Sequence, residues 1–303
     1  MASNESSTWT SFGILVAADG SPAAKAAVCW AARDAALRRT ALTIVHIVTV
    51  DTATWPPMPY AERFMNWQQD EARRVLAGAV AIAEEAVPEG HEVEIATELV
   101  LSSPIAALQD MSRHADLIVV GSSGQGMLAR AVLGSVSSSL VRHAHCPVAV
   151  IRDEDPLMAQ PPQRAPVLVG VDGSAASDAA TAMAFDEAAR RGVDLVALHA
   201  WSDVSVIGLP GLNWTEVGDE AERVLAERLA GWQERYPDVA VRRLVVQDRP
   251  SVALLEAAES AQLVVVGTHG RGGVAGFLLG SVSNAVVHGA RMPVIVARSA
   301  QRG

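Results

Sequence analysis

The chain has 303 residues, half of them hydrophobic but only 4% aromatic, and a formal net charge of −10. That length suits two ordinary domains, and an acidity shared equally by the two halves argues against a main role in binding nucleic acid, which requires phosphate neutralisation. Two cysteines, Cys29 and Cys146, imply no disulfide framework, and neither a signal peptide nor an integral membrane segment is expected, so the reading is a cytoplasmic protein.

Met1 to Ser11 reads as a loose polar tail. A strand is expected over Gly13 to Ala18, ending at Asp19-Gly20-Ser21-Pro22, where a capping side chain and a proline start a helix running to Arg39. Leu42 to Val48 is the second strand, and Asp51 to Tyr60, with its prolines, an irregular loop. A long helix then covers Ala61 to Glu85, with Val75, Leu76, Ala79, Val80 and Ile82 at helical spacing. Glu92 to Leu101 alternates as a strand, and Pro104 to His114 reads as a short helix. Asp116 to Gly121 is a strand apolar enough for burial on both faces, followed by a glycine loop, a helix over Ser135 to His143 and a strand over Pro147 to Ile151.

Asp153 to Pro166, with four prolines, reads as a linker between domains at 12–152 and 167–298. The programme then restarts. Strands are expected over Val167 to Val171, Leu195 to Ala200, Val239 to Val246, Leu263 to Gly267 and Pro293 to Ala297. Helices are expected over Ala176 to Arg191, Thr215 to Tyr236 and Ser251 to Ser260. This is an internal repeat of roughly 150 residues. Alternating strands and helices predict α/β units with parallel sheets, whose ligands sit beyond the carboxyl ends of the strands.

Each copy carries Gly, two residues, Gly, nine residues, Gly-Ser: Gly121, Gly124, Gly134-Ser135 and Gly267, Gly270, Gly280-Ser281. One such loop could be a tight turn. Two with the same spacing, each closing on a helix start, point to phosphate binding. The sole lysine, Lys25, is far from either loop, which excludes a Walker loop. A dinucleotide-like Gly124-x-Gly126-x-x-Ala129 and its counterpart Gly270-x-Gly272-x-x-Ala275 follow a late strand rather than the first, against NAD or FAD. Asp19 and Asp172 serve two compatible readings, helix cap and ligand acceptor. His46 and His199 read as hydrogen-bonded interior histidines. His143, His145 and Cys146 could ligate a metal, but the set is not repeated, so helix C-terminal cations are the simpler account. Trp55, Trp67, Trp201, Trp214 and Trp232 read as packing residues.

These motifs, with Asp-Gly-Ser after the first strand and the closing Pro-Val strand, resemble the nucleotide-binding branch of the universal stress protein family, twice over nearly the whole chain. The resemblance implies two tandem copies of a five-stranded parallel-sheet, Rossmann-like α/β domain that binds adenine nucleotide, ATP with Mg²⁺. It places Asp19 and Asp172 near the adenine, with the backbone of Ile47 and Ala200. It assigns ribose and phosphates to Gly121, Gly124, Gly134, Ser135, Val136 and Ser137, and to Gly267, Gly270, Gly280, Ser281, Val282 and Ser283. The first loop departs from the pattern at Ser123 and Gln125. The resemblance also implies last strands that pair, here within one chain, a homodimer, and a regulatory protein partner. The function expected is regulation of stress or growth, with nucleotide acting through conformation or assembly and no catalytic residue. The alternatives are a slow ATPase or nucleotidyl-transferring enzyme and a nucleotide-free interaction module.

Overall fold

The computed structural model describes residues 11–49, 61–124, 133–152, 164–201, 214–270 and 279–298. The expected tail, the proline loop, most of the proline-rich linker and the middles of both glycine loops lie outside these residues. The first half runs β1 (Ile14–Ala17), α1 (Pro22–Arg38), β2 (Leu42–Val48), α2 (Ala61–Ala86), β3 (Ile95–Leu101), α3 (Pro104–Met111), β4 (Leu117–Gly121), α4 (Ser135–His143) and β5 (Val148–Ile151). The second runs β6 (Val167–Gly170), α5 (Ala175–Arg191), β7 (Leu195–Trp201), α6 (Trp214–Arg235), β8 (Val241–Gln247), α7 (Pro250–Ala258), β9 (Leu263–Gly267), α8 (Ser281–Gly289) and β10 (Val294–Ala297). The third strand of each half starts later than its alternation predicts, at Ile95 and Val241.

All ten strands form one sheet in the order β3-β2-β1-β4-β5-β10-β9-β6-β7-β8. Strands within each half are parallel. At the seam β5 meets β10 antiparallel, with Ala149 opposite Ile295, as the last-strand expectation anticipates. The Val-rich strands are covered on both faces. Ile14 and Val16 belong to the core on the sheet face covered by α1, α2, α5 and α6, whereas Leu15 belongs to the one on the face covered by α3, α4, α7 and α8. Small side chains let α1 lie close to the sheet: Ala27, Ala31, Ala32 and Ala35 are fully buried. Two tryptophans depart from one another. Trp232 stacks on Phe185 and Tyr236, while Trp67 is 56% exposed.

The halves also meet through a buried ionic square. Asp34 and Arg38 of α1 face Glu187 and Arg191 of α5, the same repeat positions 153 residues on. Asp34 accepts from Arg38 Nε at 2.7 Å and Arg191 Nη2 at 2.6 Å. Glu187 accepts from Arg191 Nε at 3.0 Å and Nη2 at 2.9 Å, and from Arg38 Nη2. Burial pushes the Glu187 carboxyl up, but the Arg191 and Arg38 guanidiniums outweigh it and hold it below the usual carboxylate range. Removing one member of such a buried set costs about 3–5 kcal/mol, because a charge is left uncompensated.

Candidate functional site

In each half the first strand lies at the point where the chain reverses its direction of travel across the sheet, the place where open α/β sheets take ligands. A cavity opens there in both: about 330 Å³ between the carboxyl ends of β1 and β4, and about 550 Å³ between those of β6 and β9. Both volumes fall in the range of small-molecule sites. The first is lined by Asp19, Ile47, Gly121, Gly124, Gly134, Ser135, Val136 and Ser137. The second is lined by Asp172, Ala200, Gly267, Gly270, Gly280, Ser281, Val282 and Ser283. The residues that the resemblance assigns to nucleotide are thus brought together, eight in each cavity.

Of the two side chains in the Asp-Gly-Ser turn that can cap the helix, the serine takes the cap. Ser21 and Ser174 are the caps, accepting from the backbone N–H of Ala24 and Ser177, each at 3.2 Å. Asp19 and Asp172 sit one step upstream and accept from the N–H of Ser21 and Ser174 through Oδ1, each at 2.9 Å. The other oxygen, Oδ2, faces the glycine loop. The glycines between, Gly20 at φ 82° and Gly173 at φ 79°, occupy left-handed backbone that a side chain would strain.

The loop glycines are small for two separate reasons. A Cβ on Gly121 would lie 2.7 Å from the Ala23 carbonyl carbon, and one on Gly267 would lie 2.6 Å from the Ala176 carbonyl oxygen. These two glycines let α1 and α5 start directly over the strand ends, so packing already requires them. A Cβ on Gly124 or Gly270 would instead meet the aspartate Oδ2, at 2.9 and 2.3 Å. That pair lets a carboxylate approach the loop backbone closely. Gly134 and Gly280 cap α4 and α8 with extended backbone, their N–H groups donating to the carbonyls of Ser122 and Thr268, both at 2.7 Å. Beyond them Ser135, Val136 and Ser137, with their counterparts, present the first turn of a helix, whose N–H groups have no intrahelical acceptor. Ser137 and Ser283 are buried and donate their hydroxyls to the carbonyls of Gly121 (2.6 Å) and Gly267 (2.7 Å), tying helix start to strand end.

Opposite the helix start, strand register exposes backbone. The last link of β2 towards β1 runs from the Ala18 N–H to the Val45 carbonyl, at 2.9 Å. Ile47, two residues on, points its N–H and C=O to the same side, where β1 has already turned away. In the second half the Val171 N–H bonds the Leu198 carbonyl at 2.8 Å, and Ala200 repeats the geometry. Between these positions His46 and His199 are half-buried on the cavity walls rather than interior. Their Nδ1 atoms lie 2.6 and 2.7 Å from the carbonyl oxygens of Ala18 and Val171. A carbonyl only accepts, so Nδ1 carries the proton and the ring fastens the end of the first strand to the second.

Some lining residues were not flagged by the motifs. Pro104 and Leu108 of α3, and Pro250 and Leu254 of α7, form the apolar wall. Their shared signal is a helix-starting proline with a leucine one turn later. Trp201, assigned to packing, and His269 line the second cavity, where the first half has Val48 and Ser123. His143 donates locally, its Nδ1 lying 3.0 Å from the Ser139 carbonyl in the last turn of α4, the arrangement expected of a helix-terminal histidine. Gln125, Gly126, Ala129, Gly272, Ala275 and Trp55 lie outside the described residues, as does the Trp214 side chain.

Known proteins match this pattern. The model of the universal stress protein family matches the chain twice, over residues 13–152 and 164–298. Universal stress protein Rv2005c of Mycobacterium tuberculosis is 60% identical over 286 residues, covering 94% of this chain and 97% of its own. Universal stress protein Rv2623 of the same organism is 55% identical over 289 residues, covering 95% and 97%. A crystal structure of a universal stress protein from Archaeoglobus fulgidus superposes with a TM-score of 0.69 at 20% identity, covering 95% of this chain and 98% of that one, a likeness of fold.

Proposed function

The chain belongs to the universal stress protein family, and from that premise we propose that it is a regulatory ATP-binding member with one nucleotide site in each half. The observation that carries this reading is the pairing, within one cavity, of a base-sized polar edge and an anion-binding helix start. The Ile47 N–H and C=O offer one donor and one acceptor side by side, the complement of an adenine edge. The apolar wall of Pro104 and Leu108 suits the face of the base. The Asp19 carboxylate accepts from a ribose hydroxyl or an amino group. The first turn of α4 supplies N–H groups and the positive end of a helix dipole to phosphates. Ala200, Pro250, Leu254, Asp172 and α8 repeat the arrangement.

Magnesium fits this scheme as a passenger of the nucleotide. It binds hard oxygens and is commonly held by one carboxylate with phosphates and water. Among the described residues each cavity offers one carboxylate, Asp19 or Asp172. The ion would shield the phosphate charge at the helix start. Regulation requires that nucleotide bind one conformation or assembly better than another, since a ligand shifts an equilibrium only by that difference.

The direct check is to denature freshly purified protein and identify the released small molecules by mass spectrometry. Adenine nucleotide in stoichiometric amount is the expected result. If none is released, and none binds when added with Mg²⁺, the proposal fails.

A further inference from the structure

Arginines from the opposite half hold the far ends of α4 and α8. Arg298 follows β10, and its Nη2 donates to the carbonyls of Leu140 (3.5 Å) and Val141 in α4. Arg152 follows β5, and its Nη2 donates to the carbonyls of Val287 (3.1 Å) and His288 (2.6 Å) in α8. The two arginines stand 146 residues apart, as do Gly121 and Gly267, so they occupy one position of the repeat. The crossing follows from the seam. Because β5 and β10 run antiparallel, each strand ends beside the start of the other, next to the helix that precedes it.

These carbonyls need a partner. The last backbone bonds of the two helices run from Ala144 to Leu140 and from Ala290 to Val286, both 2.9 Å. Val141, Val287 and His288 lie beyond them, among the groups a helix leaves unpaired. A guanidinium there satisfies them and opposes the negative end of the helix dipole. Arg298 is committed to this contact although its own Nε is buried without a hydrogen-bond partner. Both helices have nine residues, a strut about 13 Å long at 1.5 Å per residue. One end of each strut is the anion-binding turn of a cavity. The other end is gripped by the opposite half.

We infer that Arg152 and Arg298 are positioning residues for nucleotide binding in the half to which they do not belong: Arg298 for the cavity at Asp19, Arg152 for the cavity at Asp172. The inference rests on the nucleotide reading given above. Without its arginine, the helix must be ordered at the moment the phosphates arrive, and that ordering weakens binding. The effect crosses the seam, which distinguishes it from general destabilisation.

The test uses the full chain with one cavity closed at a time. Gly270→Val leaves the first site to be read, and Gly124→Val the second, with a fluorescent ATP analogue and Mg²⁺ as the probe. Adding Arg298→Met to the Gly270→Val protein should weaken binding on the order of tenfold, the scale of ordinary coupling between sites. Arg298→Lys should restore part of it. Adding Arg298→Met to the Gly124→Val protein should change little, and Arg152→Met should show the reverse pattern. Loss in the arginine's own half, equal loss in both, or no loss would overturn the inference. Amide exchange without nucleotide separates this inference from the one beneath it. Arg298→Met should speed exchange over Ser135–His143 and not over Ser281–Gly289. If the parent protein binds no nucleotide, confinement to α4 still supports the strut, and its absence overturns it.

Discussion

The two cavities share a skeleton and differ in their walls. Each has an aspartate just upstream of a capping serine, a glycine that lets its carboxylate approach the loop closely, and an exposed backbone pair on the second strand. Yet the second cavity is the larger, about 550 against 330 Å³, and it adds Trp201 and His269 where the first has Val48 and Ser123. The repeated parts are backbone geometry, which any family of bases and phosphates would need. The varied parts are side chains on the rim, which adjust affinity. On the nucleotide reading proposed above, two sites of one kind and unequal strength are expected, the second tighter.

The largest effect should come from removing the shared part on one side. In Gly270→Val the new Cβ would enter the space of Asp172 Oδ2, and nucleotide titration should show that site lost and the first retained. Gly124→Val should do the opposite. The same change at Gly121 or Gly267 is a poorer probe, because it also displaces Ala23 or Ala176 and would lower the stability of the half concerned.

Next in size is the ionic square, where equivalent residues are again unequal. Glu187 accepts three N–H groups and Asp34 two. Chemical denaturation at neutral pH should show Glu187→Gln losing about 3 kcal/mol or more and Asp34→Asn less. Because the folded state holds the Glu187 carboxyl below its ordinary 4.5, its contribution is full above that pH and fades as pH falls through the folded value. The gap between parent and Glu187→Gln should therefore shrink in acid. A gap that widened in acid would contradict the assigned direction.

The rim comes third. Trp201→Ala should weaken the second site by about tenfold if its ring covers the base, since base–aromatic stacking contributes about 1–3 kcal/mol. Unchanged affinity would return Trp201 to a packing role. The smallest effect lies at the end of the first helix. Arg39 is left-handed at φ 53°, where the second half has Gly192 at φ 62°. Arg39→Gly should raise the melting temperature slightly, as relief of about 1 kcal/mol of backbone strain. A lower melting temperature would show that the arginine side chain contributes more than its backbone costs.

Much of this was legible because local rules and the repeat agree. Asp-Gly-Ser, the spaced glycines and the Val-rich runs each specify a turn, a close approach or a buried strand, and their recurrence fixed which matched positions to compare. The end of β2 and of β7 was legible only through resemblance. The physical reason, a neighbouring strand that stops two residues early, appears once the register is known. Other features could not be read. The ionic square joins residues some 150 positions apart, and the arginine struts depend on the antiparallel seam, so no local pattern announces them. The close approach of α1, which excludes a Cβ at Gly121, could not be read from the loop motif. Pro104 with Leu108 was visible as a helix start but not as a cavity wall.

The central claim is two nucleotide sites per chain. Equilibrium dialysis of labelled ATP with Mg²⁺ against the parent, Gly270→Val and the Gly124→Val/Gly270→Val double variant tests it most directly. The account predicts two, one and none bound per chain, matching the two cavities. A parent that saturates at one, or a double variant that binds as the parent does, would contradict it.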